Sequence, residues 1–232
     1  MKEILQLPVF GVFITLLAFA VAIQIKKKWN YILFNPVLLA INFIIIFLLA
    51  FDIDFEAYNN GGKFLSFFLG PAVVALGVFF YEKYAQVKQN LKPFLIAVIA
   101  GGVSGILSVV LILILFRVPD FIVQSLAAKS VTAPIAIEIS KFAGGVPEIT
   151  ASIVIAVGIF GNAFGPLILK LLGIKNKIAI GAALGTATHA IGTARAFEEG
   201  KLPGVYSGLA MCLNGIITAL LAPYILNLFL SI

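Results

Sequence analysis

The stretch TATHAIGTAR, residues 186–195, gathers the chain's one histidine, His189, with Thr186, Thr188, Thr193 and Arg195. Hydroxyls, an imidazole and a guanidinium set this close together suit hydrogen bonding to a small anion. Imidazole is also the side chain whose ordinary titration lies nearest neutrality. His189 is therefore a candidate for proton coupling, and equally a candidate donor to a carboxylate. If 178–196 is read as a helix, Gly181, Gly185, Thr188, Gly192 and Arg195 fall on one face. Thr186, His189 and Thr193 fall on the face beside it. Small residues let another backbone come close, and Gly185 and Gly192 mark an interruption of the helix. The competing reading is a packing seam with a satisfied histidine and Arg195 capping the helix at the surface. Ionisable groups inside a membrane cost about 2.5–3.5 kcal/mol each on insertion scales and usually mark function, which favours the first reading.

A second constellation is KSVTAPIAIEISKFAGG, residues 129–145. Lys129, Ser130 and Thr132 precede Pro134, and a proline in the first turn after a Ser or Thr cap starts a helix well. The N-terminus of such a helix attracts anions, and Lys129 adds a full positive charge. Glu138 lies one turn in and is a second proton-coupling candidate, while Gly144 and Gly145 end the element. Here the competing reading is an amphipathic helix lying on the membrane, with Lys129 and Glu138 solvated. A third break, Gly70-Pro71 in LGPAVVAL, interrupts another apolar run. Asn162 and Asn214 sit inside apolar runs as interhelical hydrogen-bond partners.

Other chemistries are missing from the sequence. One His and one Cys cannot build the usual zinc site, no Gly-Lys-Ser/Thr loop marks a nucleotide-binding P-loop, and no nucleophile–base pair stands out. An enzyme, a metal site and a cofactor are accordingly not expected.

Long helices must position these residues. The chain is 62% hydrophobic and 11% charged, against about 25% charged in soluble domains. Apolar runs recur at about 4–25, 31–51, 64–82, 93–116, 149–169, 178–196 and 204–230, each long enough for a membrane helix. The fold expected is an all-α polytopic membrane protein, one domain over 1–232. About seven transmembrane helices are joined by a re-entrant or hairpin segment at 119–147, between halves 4–118 and 148–232. The net charge of +6 comes from lysines in turns, which orients a membrane protein rather than binding nucleic acid. Lys26–Lys28, Lys83/Lys88/Lys92 and Lys170/Lys175/Lys177 mark cytoplasmic turns. That leaves the N-terminus outside and the C-terminus cytoplasmic, provided 119–147 enters and leaves on one side. Two triplets of helix, interrupted helix and helix then run in opposite directions, an inverted repeat of the kind that builds a midplane site in transporters.

NPVLLA, GPAVVAL, KSVTAPIAIEI, GGVPEITA, ALGTATHAIGTARAFEEG and SGLAMCLNGIITALLAP stand in this order along nearly the whole chain. Together they resemble the LrgB/CidB family. The resemblance implies a multi-pass protein of the bacterial inner membrane that works with a small LrgA/CidA-type membrane partner. Family members are described as antiholin-like modulators of murein hydrolase activity and lysis. Others are similar to the plastid glycolate/glycerate translocator or act in pyruvate uptake. The residues favour transport: a carboxylate site formed by Lys129, Ser130, Thr132, Thr186, Thr188, His189, Thr193 and Arg195, in a protein expected to form a homo-oligomer. An antiholin-like regulator that does not itself transport is the alternative.

Overall fold

The computed structural model describes residues 7–29, 34, 36–68, 71, 81 and 84–230. The described residues are helical, with no strand among them. In chain order the helices are α1 (Pro8–Lys28), α2 (Pro36–Ala50), α3 (Phe55–Phe67), α4 (Tyr84–Leu115), α5 (Asp120–Leu126), α6 (Ala133–Ala143), α7 (Pro147–Leu171), α8 (Lys177–Glu198) and α9 (Lys201–Leu230). Among the described residues four stretches are long and apolar enough to cross a membrane: Pro8–Lys28, Lys88–Leu115, Pro147–Leu171 and Lys201–Leu230. The shorter Pro36–Ala50 is also apolar. The expected interruption at Gly70 lies outside the described residues, and Pro71 is described without its neighbours.

The chain forms two compact units, Met1–Val78 and Phe79–Ile232. In the first, α1 and α3 cross at Gly11 and Gly61, where a Cβ on either glycine would strike the other helix's backbone. The Thr15 hydroxyl meets the Tyr58 hydroxyl at 2.9 Å beside this crossing. Lys26–Lys28 close the last turn of α1, where cations complement the helix dipole.

The second unit holds three long helices, α4, α7 and α9, and two segments that double back. The first is α5 with α6. The Val146 amide donates to Ser125 Oγ at 2.7 Å, and the Thr150 hydroxyl lies 3.0 Å from the Ser125 carbonyl and 2.7 Å from Ser140 Oγ. The end of α6 and the start of α7 thus turn back beside Ser125 of α5. Gly144, at φ +85°, stops α6, and the amides of Gly144 and Gly145 turn back to the carbonyls of Lys141 and Ser140. Thr132 stands at the expected start of α6 in extended conformation, but its side chain does not cap the helix.

The second doubling-back corrects the expected crossing at 178–196. Helix α8 breaks at Thr188 (φ −133°, ψ 17°) and His189 (φ 44°, ψ −135°). Lys177 Nζ reaches the Glu199 carbonyl at 3.4 Å, and Ala196 packs in one cluster with Leu184 and Ile180. A straight helix would hold Lys177 and Glu199 about 33 Å apart at 1.5 Å per residue. The two legs of α8 thus lie antiparallel, and the glycine face expected over 181–195 is folded in two. Asn176 starts the first leg, its side chain accepting from the Ile178 and Ala179 amides, as a good cap does.

The two hairpins enter from opposite ends of the long helices. The C-terminal half of α4 packs with α5 and α6 through Ile106, Val110 and Val123, joined by Leu226 near the end of α9. The N-terminal part of α4, through Phe94 and Val98, packs with Ala182 of α8 and Tyr206 near the start of α9. Helix α6 and the two legs of α8 hold about ten residues each, about 15 Å of helix, half of a hydrocarbon core about 30 Å thick; α5 is shorter, at 7 residues. The tips accordingly meet at mid-height of the long helices.

Candidate functional site

Glycines at mid-height make room for the tips. A Cβ on Gly101 would press on Thr186, one on Gly102 would collide with Asn214 Oδ1, and one on Gly161 would collide with Thr188. Gly158 leaves space for the His189 ring and Ile191. Through that space His189 Nε2 lies 3.0 Å from the Val154 carbonyl. A carbonyl only accepts, so Nε2 carries the hydrogen. The bond anchors a residue whose backbone, at φ 44° and ψ −135°, lies in a sparsely populated region that costs about 1–3 kcal/mol. Two local bonds flank the break: Thr188 Oγ1 donates to the Leu184 carbonyl and Thr193 Oγ1 to the His189 carbonyl.

Asn214 of α9 joins the two tips. Its Nδ2 lies 3.2 Å from the Ser130 carbonyl and 3.0 Å from the Thr186 carbonyl. Both amide hydrogens are thereby used, one on each hairpin. Asn214 is buried, and its Oδ1 and the Thr186 hydroxyl have no protein partner among the described residues. Asn162 Nδ2 donates to the Ile191 carbonyl at 2.9 Å, tying α7 to the second leg of α8. Both asparagines are the interhelical partners expected from sequence.

Lys129 stands at the tip of the α5–α6 hairpin, with Nζ donating to Ser130 Oγ at 2.9 Å. Among the described residues no carboxylate pairs with it. Two cavities meet at this lysine. One, of about 600 Å³, runs between α7 and the first leg of α8 and is walled by Phe160, Gly161, Ile168 and Thr188. The other, of about 560 Å³, runs between α4 and the same leg and is lined by Ser104, Ser108, Ser130 and Thr186. Ala183 and Ala187 border both. A carboxylate in the second cavity would find one cation and several hydroxyls; in the first it would find the same cation and Thr188 in otherwise apolar surroundings, where electrostatic attraction is little screened.

The structure thus sets Lys129 with Ser130 and Thr186 on one cavity and with Thr188 on the other, and sets other sequence candidates apart. His189 and Thr193 are buried behind the tip, and Thr193 Oγ1 meets Ser207 Oγ at 2.9 Å. Thr132 and Glu138 line neither cavity. Glu138 is exposed and pairs with Lys141 at 2.8 Å. Arg195 lies at the root of the second hairpin, bonded to Glu198 and Glu199. Its separation follows from the fold-back, which carries residue 195 away from the tip. Pro134 begins α6 as expected, whereas the break in α8 falls at 188–189, between Gly185 and Gly192. Sequence reasoning overlooked Ser104 and Ser108 and the mid-height glycines. GGVSG at 101–105 and GIFG at 158–161 carried the signal, as small residues in the middle of apolar runs.

A family model described as the LrgB-like family matches residues 15–228. An uncharacterized protein of Haemophilus influenzae is 35% identical over 216 residues, 93% of this chain and 94% of its own. A Bacillus cereus protein named antiholin-like protein LrgB is 32% identical over 217 residues, with 93% and 94% covered. A Bacillus anthracis protein of the same name matches equally, at 32% identity. No solved structure matches the chain.

Proposed function

The chain belongs to the LrgB-like family, and we propose that it is a secondary transporter of small monocarboxylates of the pyruvate, glycolate or glycerate type in the bacterial inner membrane. The observation that carries this reading is Lys129: a cation with no carboxylate partner among the described residues, at a hairpin tip, bordering two cavities at once. A lipid-buried ammonium is costly, and a substrate carboxylate would offset that cost. The hydroxyls of Ser130 and Thr186, which line one cavity with Lys129, would receive the substrate's keto or hydroxyl oxygen.

Two hairpins entering from opposite sides, with tips at mid-height, fit an inverted repeat around a midplane site. With the lysine-rich turns cytoplasmic, α4 and α9 run outward and α7 inward. The α5–α6 hairpin then enters from outside and α8 from the cytoplasm. Because α8 does not cross, the C-terminus falls outside with the N-terminus, reversing the cytoplasmic position expected for it. His189, held by its ring, serves to shape the tip, and proton coupling through it would require that anchor to release. A small LrgA/CidA-type protein is the proposed membrane partner.

The test is uptake of labelled pyruvate, glycolate and glycerate by proteoliposomes, with and without an LrgA-type partner. Saturable uptake that Lys129→Gln abolishes, in a variant that still inserts, supports transport. The names of the Bacillus relatives favour a second reading, an antiholin-like regulator. That reading predicts no uptake, and a partner-dependent membrane leak that persists in Lys129→Gln.

A further inference from the structure

The fold-back of α8 creates a second charged cavity, at the root of the hairpin rather than its tip. It measures about 470 Å³ and is lined by Lys170, Lys175, Lys177, Arg195 and Glu199. Arg195 arrives from the far leg and is held there by Glu198 and Glu199. The Lys177 ammonium meets a backbone carbonyl, at 3.4 Å. Among the described residues no carboxylate pairs with Lys170, Lys175 or Lys177. The buried Arg195 Nε also has no hydrogen-bond partner among them.

Orientation alone asks only that lysines lie in this turn. It does not ask that three converge on one cavity with a half-buried arginine at its back. The cavity is also lined by apolar residues, among them Leu167, Ile174 and Ile180. A ligand that satisfies both kinds of lining is an amphiphilic anion, with a phosphate at the cations and a hydrocarbon chain along the apolar side chains. The turn lies at a membrane surface, where basic pockets between helices take anionic headgroups.

We infer that this cavity is a binding site for the phosphate of an anionic phospholipid, seated at the root of the α8 hairpin. The site stands independently of transport, since it shares no lining residue with the cavities at Lys129 except Leu169, which also walls the larger of them. It would brace the two legs together by bridging Lys177 and Arg195.

Native mass spectrometry of the full-length protein from nanodiscs tests the inference, with phosphatidylglycerol compared against phosphatidylcholine. The wild type is expected to retain phosphatidylglycerol preferentially. Lys170→Gln, Lys175→Gln and Lys177→Gln combined should lower that preference by about fivefold per lysine. Lys26→Gln, Lys27→Gln and Lys28→Gln combined, in the other unit, should leave it unchanged and controls for total charge. Equal losses in the two triple variants, or retention of phosphatidylglycerol by the first, would overturn the site. Inorganic phosphate displacing the lipid at micromolar concentration would overturn the lipid assignment in favour of a free anion.

Discussion

Lys177 and Glu199, at opposite ends of α8, are neighbours: the lysine ammonium lies 3.4 Å from the glutamate's backbone carbonyl. This contact turns an apparent crossing into a hairpin and, with it, inverts the direction of everything that follows in the chain. Spin labels at positions 177 and 199, with Cys212 replaced by Ser, test it directly. The fold-back predicts a distance under about 20 Å, whereas an unbroken helix gives about 33 Å.

His189 supplies a test that runs against the usual propensities. Inside a helix, Ala is more stable than Gly by about 1 kcal/mol. At position 189 the backbone has φ 44°, which Gly adopts freely and Ala does not. Both His189→Ala and His189→Gly lose the bond to Val154, so both should melt below wild type. His189→Gly should nevertheless melt above His189→Ala. The reverse order would mean that α8 runs straight through this position.

Asn214 spends both amide hydrogens on the hairpin tips. In Asn214→Asp the carboxylate has none to give and faces two carbonyl oxygens. Leaving buried groups unpaired costs about 1–3 kcal/mol each, so a clear fall in thermal midpoint is expected. A variant as stable as wild type would show that the tips do not meet on this residue.

Gly161 seats the second tip, and a Cβ there collides with Thr188. Gly161→Ala should destabilise by about 1–3 kcal/mol, the usual cost of overpacking. Ser104→Ala, at an exposed position in the cavity beside α4, should leave the melting temperature nearly unchanged. Equal effects in the two variants would contradict the tight seating of the tip.

Much of this arrangement is legible in the residues. The breaks in 119–147 predict a re-entrant segment there, and the Val146–Ser125 bond brings its end back beside α5. Pro134 and Gly144 mark the start and end of α6 because each restricts or frees the backbone locally. The fold-back of α8 was hidden for a physical reason. Its turn uses Thr188 and His189, neither a usual turn residue, and is enforced from outside by Gly158, Gly161 and the Val154 carbonyl. A hairpin of two short apolar legs has the same length and composition as one crossing. The position of Arg195 at the hairpin root was hidden by the same token, since its separation from Lys129 depends on that turn.

Arg195 and Lys129 now make separable forecasts. Arg195→Gln breaks the ion pairs at the hairpin root and should alter lipid retention while leaving uptake largely intact. If Arg195→Gln abolished uptake at unchanged protein level, the substrate would have to pass the root of α8 rather than its tip.

The most direct measurement is initial-rate uptake of labelled pyruvate, glycolate and glycerate into proteoliposomes, comparing wild type with Lys129→Gln at matched amounts of inserted protein. Wild type is expected to carry at least one of the three saturably and the variant none. Uptake at the wild-type rate by Lys129→Gln, or none by the wild type with its LrgA-type partner present, would contradict the account.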